Sequence, residues 1–149
     1  YQSEVRRFFL HQTMGDEMLS DDLAQETFIT VYTHISGFRN LSNFKTWLYR
    51  IAYNVFLMHI RSQKTTVDLE AVSIATQTDS TIRMDIYRAL QELSPPERTC
   101  VTLSVVDDLP IAKIVVITGM PEGTVKSHIS RGKEKLANYL KMNGYEDRR

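Results

Sequence analysis

Apolar positions along this chain recur every three to four residues, the period of helices, and no stretch sustains the alternation of a strand. The clearest case lies between Leu109 and Leu140. A short apolar-periodic run, Ile111 to Ile117, is interrupted by Thr118-Gly119-Met120-Pro121, and a longer segment follows in which Val125, Ile129, Leu136 and Leu140 share one face. Gly119 suits the positive φ that ends a helix, and Pro121 suits the first turn of the next, where a missing N–H costs nothing. Two helices joined this tightly form a helix-turn-helix. The other face of the second helix holds Lys126, Ser127, Ser130, Arg131, Lys133 and Lys135. Short hydroxyls near its start and long cations along it suit a helix that enters a major groove and grips the flanking phosphates. Many basic helix faces meet only water, so the tight turn and the short preceding helix carry much of the argument.

The same period runs through the rest of the chain. Val5, Phe8 and Phe9 make a stripe in an opening helix that stops near Met14-Gly15. Ser20 then reads as an N-cap with Asp21 and Asp22 in the first turn. The helix that follows, ended by Gly37, turns Ala24, Phe28, Val31, Tyr32 and Ile35 to one side and Asp22, Gln25 and Glu26 away from it. Those acids, taken alone, fit a solvated helix start. A polar loop from Phe38 to Lys45 leads to a third helix, where Phe44, Leu48, Ile51, Ala52 and Val55 repeat at helical spacing beside Lys45, Arg50 and Arg61. Trp47 and Tyr49 lie near the loop. Aromatics among cations can stack on unpaired bases, although aromatics at this spacing more often belong to a core. Between Ser62 and Arg83 the pattern collapses into Ser, Thr, Asp and Gln, which predicts a linker. Order resumes in MDIYRALQEL, where Ile86, Leu90 and Leu93 share a face. Ser94-Pro95-Pro96-Glu97 then has the form of a capping box, starting a helix with Val101 and Val105 that ends at Asp107-Asp108.

Composition adjusts this picture in a few places. Between Pro121 and Lys141 there are five Lys and Arg against two acids, a local charge of plus three in a chain of 149 residues whose net charge is zero. Contact with nucleic acid must therefore be local. The single cysteine, Cys100, excludes an internal disulfide and, among Val101, Leu103 and Val105, reads as a buried, inert thiol. His11, His34, His59 and His128 are scattered without the paired spacing of metal ligands. No phosphate loop or nucleophile motif occurs, so neither a cofactor nor catalysis is expected. With no apolar run of membrane length and no signal peptide visible, direct membrane insertion is not expected and the predicted location is the cytoplasm. Tyr1 already falls within a helical pattern, which implies that the natural chain begins upstream.

SDDLAQETFITVY, FKTWLYRIAYN, LSPPERT and GMPEGTVKSHISRGKEKL, in that order, resemble the extracytoplasmic-function sigma factors of the sigma-70 family, in wording closest to Bacteroidetes-like members. The resemblance covers nearly the whole chain except the linker, with two independent motif sets. It implies an all-α protein of two small helical domains joined by a flexible linker. Residues 1–62 would form a region 2-like domain for core polymerase and the minus-10 element, 63–83 the linker, and 84–143 a region 4-like helix-turn-helix domain for the minus-35 element. By the same resemblance, Asp22, Gln25 and Glu26 match polymerase-facing positions. The loop from Ser36 to Phe44, with Phe38, Arg39 and Asn40, matches the segment that captures an extruded base. Lys45, Trp47, Arg50 and Asn54 match the helix beside it, with Arg61 further along. Glu122, Gly123, Thr124, Lys126, Ser127, Ser130 and Arg131 match the minus-35 recognition face, and Lys133 and Lys135 are assigned to phosphates.

The family implies core RNA polymerase and promoter DNA as partners and, commonly, an anti-sigma factor. Free in solution, the two domains are expected to move about the linker, so that polymerase converts two weak DNA contacts into one bivalent engagement. Three positions depart from the family's wording: Met58 where a polar residue is usual, Pro110 in place of a Ser-like cap, and Val115 at a site commonly held by alanine. Two rival readings stay open here. One is a stand-alone helix-turn-helix regulator, which leaves the acidic face on Asp22 to Glu26 without a purpose. The other is a degenerate sigma-like interaction module, supported only by Met58 and Val115.

Overall fold

The opening apolar stripe becomes helix α1 (Gln2–Gln12) in a computed structural model that describes residues 1–38, 43–65 and 81–144. Val5, Phe8 and Phe9 are wholly enclosed. A turn through Gly15, at φ +93, leads to α2 (Glu17–His34). Gly15 is required twice over, because a side chain there would also strike the Tyr87 ring at 2.7 Å. The cap of α2 is Asp16, whose carboxylate accepts the Leu19 N–H at 3.0 Å. Ser20, expected in that role, lies inside the helix and shares a 2.8 Å hydrogen bond with Thr13. A polar residue before a helix can cap it or tie it down, and here the buried Thr13 hydroxyl decides which.

After a single 3-10 turn (Ile35–Gly37), α3 (Phe44–Thr65) crosses the molecule. Asn43 accepts the Lys45 N–H at 2.8 Å, in the manner of a cap at its start. The expected linker is helical at both ends, since α3 runs to Thr65 and α4 (Thr81–Gln91) starts at Thr81. Residues 66–80 lie outside the described residues. The capping box then forms as expected: Ser94 accepts from Glu97 N–H, and Glu97 reaches back to Ser94 N–H at 3.0 Å, starting α5 (Pro95–Val105). Helix α6 (Ile111–Thr118) begins after Pro110, which caps it without a side-chain bond, and ends at Gly119 with φ +73. Pro121 stands one place outside the expected first turn, as the N-cap of α7 (Glu122–Met142).

The described residues contain seven α-helices and no strand. In this structure the N-terminal helices α1–α3 and the C-terminal helices α5–α7 share one core, and Leu90 of α4 packs with Leu93 and Val101 in a second cluster. The reason lies in α3, which has two apolar rows. Leu48, Ala52 and Val55 form the row visible from periodicity, while Tyr49, Tyr53 and Phe56 are buried as well. Tyr49 packs edge-on against Phe8 at 5.7 Å and donates its hydroxyl to Asp107 at 2.8 Å. Helix α6 packs on α3 and on α7, and α1 packs on α5. Cys100 lies fully inside this core, where burial pushes its thiol up to about 11 and keeps it protonated at neutral pH. No helix among the described residues is long and apolar enough to cross a membrane.

Candidate nucleic-acid and polymerase interfaces

Helix α7 divides cleanly. Val125, Ile129 and Gly132 are buried, and all nine proposed DNA-facing residues, Glu122, Gly123, Thr124, Lys126, Ser127, Ser130, Arg131, Lys133 and Lys135, are exposed. At 100° per residue, Gly123, Ser127, Ser130 and Arg131 occupy the middle of the outer face, with Lys126 and Lys133 along one flank. Among the described residues, Lys126, Arg131 and Lys133 make no salt bridge. Glu134, which sequence reasoning passed over, also sits mid-face, one turn beyond Ser130. An acid there restricts a phosphate-facing surface to the first turns of the helix, the part that enters a groove in helix-turn-helix proteins.

Lys135 differs from the other cations. Its ammonium donates to Glu97 Oε1 at 2.8 Å, joining α7 to the capping box of α5. Burial alone would push the Glu97 carboxyl up, but the Lys135 ammonium and the Ser94 N–H outweigh it and hold the group below its ordinary value. A depressed carboxyl stabilises the fold above its unfolded pKa, and that contribution is lost as pH falls through the folded pKa. Urea titrations should therefore show stability declining below pH 4.5, the group's ordinary value, with a smaller decline in Lys135→Met. Identical acid limbs in the two proteins would show that this pair contributes nothing.

The exposed stripe of α3 carries Arg50, Asn54, Met58 and Arg61 in line with the half-buried Trp47. Met58 is 65% exposed, an apolar side chain in the middle of a polar row. At the start of the helix, Phe38, Phe44 and Trp47 form a ring cluster with centroids 5.0 to 5.7 Å apart. Phe38 and Phe44 flank the loop on either side, so the cluster closes its base. Arg39 and Asn40 lie outside the described residues. Lys45 is held in place by Glu4 at 3.1 Å and lies 5.8 Å from the Tyr49 ring centroid. Tyr49 itself, placed by sequence near the loop, is turned into the core.

On α2, Asp22, Gln25 and Glu26 are exposed. Around them lie Met18, Ile29 and Tyr32, at 79%, 67% and 84% exposure. Tyr32 was expected on the core side, but Leu23 and Thr27 are buried there instead, the Thr27 hydroxyl being satisfied by Leu23 O at 2.8 Å. The signal was present as the spacing Met18, Asp22, Gln25, Ile29, Tyr32, a helical row of its own. A shallow groove between α1 and α2, lined in part by Arg6, Gln25, Phe28 and Ile29, runs beside it.

Comparison with known proteins places both halves of the chain in one family. The sigma-70 region 2 family model matches residues 1–66, and the sigma-70 region 4 model matches residues 83–136. The ECF RNA polymerase sigma factor SigW of Bacillus subtilis is 31% identical over 150 residues, spanning 88% of this chain and 80% of SigW. The chain belongs to the ECF RNA polymerase sigma factors. SigM of B. subtilis is 28% identical to this sigma factor over 145 residues, covering 91% of the chain and 88% of SigM. A solved structure, the sigma factor RpoE in complex with the anti-sigma factor NepR from Bartonella quintana, superimposes with a TM-score of 0.82 at 27% identity, covering 94% of this chain and 91% of that one. Because that superposition spans both halves, their mutual placement is shared. As a sigma factor the protein binds core RNA polymerase, recognises the minus-35 and minus-10 promoter elements and promotes melting for transcription initiation.

Proposed function

We propose that this sigma factor divides its work among the three exposed faces, with residues 1–62 serving core polymerase and the minus-10 element, 84–143 serving the minus-35 element, and 63–83 joining them. The observation that carries the reading is the α7 outer face, where short side chains and Arg131 lie mid-face and exposed cations lie on the flank. Glu122, Gly123, Thr124, Ser127, Ser130 and Arg131 face base edges, and Lys126 and Lys133 meet phosphates. Lys135, engaged with Glu97, plays a structural part first. The α3 stripe of Trp47, Arg50, Asn54 and Arg61, with Lys45, follows the minus-10 strand beside the loop containing Phe38, Arg39 and Asn40. Extruding a base costs a few kcal/mol of unstacking, offset by contacts in that loop and by polymerase. The mixed face of Asp22, Gln25 and Glu26 with Met18, Ile29 and Tyr32 docks on a polymerase surface that is basic around an apolar centre. The protein acts by binding alone, with no cofactor and no chemistry of its own, in the cytoplasm where polymerase works. An anti-sigma factor, as in the Bartonella quintana complex, is the further partner.

Arg131→Ala is expected to lower affinity for minus-35 DNA about 10- to 100-fold, the discrimination that one bidentate base contact supplies, while binding to core polymerase is unchanged. Glu26→Ala and Asp22→Ala should do the reverse. Electrophoretic mobility shifts on promoter DNA, paired with polymerase titrations, separate the two effects. Equal loss of both activities in Arg131→Ala would make that residue structural, and unaltered polymerase affinity in both acidic variants would remove α2 from the docking surface.

A further inference from the structure

Met18, Met58 and Met142 are all exposed, but their surroundings differ. Met18 lies with Ile29 and Tyr32 in the mixed face of α2, and Met142 lines a shallow groove with Tyr139 at the end of α7. Met58 has no such company. Its neighbours one turn either way on the outer face of α3 are Asn54, Arg61 and Ser62, all exposed and polar, while Val55 points inward. At about 100° per residue, Arg50, Asn54, Met58 and Arg61 fall within roughly 80° of one another, so the methionine stands inside the stripe and not beside it. Nor does the core call for it, since Leu48, Ala52 and Val55 fill one buried row of α3 and Tyr49, Tyr53 and Phe56 the other. On an ordinary surface a lone apolar side chain needs no explanation. On a stripe that otherwise offers an amide and guanidinium groups, it changes which bases the helix can accept.

The edge of a base pair carries hydrogen-bond donors, acceptors and a single apolar group, the C5 methyl group of thymine in the major groove. Against an amino group or a ring acceptor, methionine displaces water and returns no hydrogen bond, which costs affinity. Against the thymine methyl group it buries apolar surface on both sides. Its unbranched thioether, with three rotatable bonds, makes such a contact without demanding one exact geometry. Asn54 and Arg61, about one turn away on either side, can hold neighbouring bases or phosphates and bring Met58 within reach of a base edge. Met58 is eleven residues beyond Trp47, about 16 Å along the axis, a distance of several bases at about 3.4 Å each. It therefore meets a base pair apart from the base extruded at the loop.

Resting on the assignment of α3 to the minus-10 element, we propose that Met58 is a specificity-determining residue that selects thymine at one base pair of that element through its C5 methyl group. Asn54 and Arg61 set the register, and Met58 rejects pairs that present only polar groups there. A polar residue at this position would instead favour a hydrogen-bonding edge, so the departure from the family's wording retunes the sequence that is read.

Duplexes randomised across the minus-10 region are selected with core polymerase bound to the full chain. Each thymine of a selected sequence is then replaced singly by deoxyuridine, which pairs identically and lacks only the methyl group. For the parent, one of these replacements should lower affinity about fourfold, the effect of one buried methyl group. In Met58→Gln the same replacement should have no effect, while Met58→Leu, which keeps an apolar contact, should still show a loss of about twofold or more. All three proteins should melt together, because the side chain at this position faces solvent. A selected sequence with no such thymine, or deoxyuridine effects that are the same in the parent and Met58→Gln, overturns the reading of Met58. If Arg50→Ala and Asn54→Ala also bind the selected sequences as tightly as the parent does, the assignment of α3 to the minus-10 element falls with it.

Discussion

Arg98→Met should cost about 2–4 kcal/mol of folding stability, as two buried carbonyls lose their donor. The guanidinium is buried and has no carboxylate partner among the described residues. It donates instead to three backbone oxygens, Leu90 O at 3.0 Å, Leu93 O at 2.9 Å and Gln12 O at 3.1 Å. These belong to the end of α4, the turn after it and the end of α1, where unpaired carbonyls gather and favour a cation. Burial lowers its pKa to about 10, which leaves it charged at neutral pH. With methionine in its place, Leu90 O keeps the Leu93 N–H, but Leu93 O and Gln12 O are left without a donor. Relief from holding a charge in the interior reduces the loss without reversing it. In a protein of this size each kcal/mol moves the melting temperature by about 2–4 °C, so calorimetry should find the variant roughly 5–15 °C lower. A midpoint within a degree or two of the parent would mean that water readily replaces the guanidinium.

Gly132→Ala should also destabilise, by about 2 kcal/mol or more, although alanine is the better helix former by about 1 kcal/mol. A methyl group at Gly132 would lie 2.2 Å from Val101 Cγ2 and 3.2 Å from Leu93 Cδ2. Val101 is buried and, being β-branched within a helix, has one strongly preferred rotamer, so it cannot turn away. Helix α7 must instead move off α5, loosening the packing that holds the C-terminal half together. Gly123, on the same helix with nothing within 4 Å, provides the control: alanine there should leave stability unchanged or raise it slightly. A double-mutant cycle with Val101→Ala should recover more than 1 kcal/mol of the Gly132 loss, because the smaller side chain makes room for the methyl. Additive losses would place the strain elsewhere.

These two residues show which features were legible in the sequence and which were not. The turn at Gly119 and the capping box at Ser94 and Glu97 were legible because each is fixed by residues a few places apart. Helix α7 was legible because its apolar and cationic positions separate around a single axis. Gly132 looks no different from Gly123 in sequence, since what distinguishes them is Val101 on another helix. Asp107 reads as a polar stop after α5, its partner Arg7 lying a hundred residues away. On α3 one apolar row was enough to predict the helix, so Tyr49 was assigned to the loop's surroundings, Tyr53 and Phe56 were left unplaced, and the union of the halves went unseen. Tyr32 was misplaced for the converse reason: an aromatic at core spacing was taken as buried when Thr27, with its hydroxyl satisfied by the helix backbone, could occupy the interior.

The second row on α3 also bears on how the protein is made. Tyr49, Tyr53 and Phe56 emerge from the ribosome well before Cys100, Leu103 and Ile114, which complete the core around them. Domains fold as units during synthesis, the N-terminal one first, so α1 to α3 must assemble with one of their apolar flanks still in water. That nascent three-helix piece already carries the face formed by Asp22, Gln25 and Glu26, and its open apolar flank is covered only when the last third of the chain arrives. Each newly made molecule therefore passes once through a stage in which its N-terminal half stands alone, before its own C-terminal half packs against it.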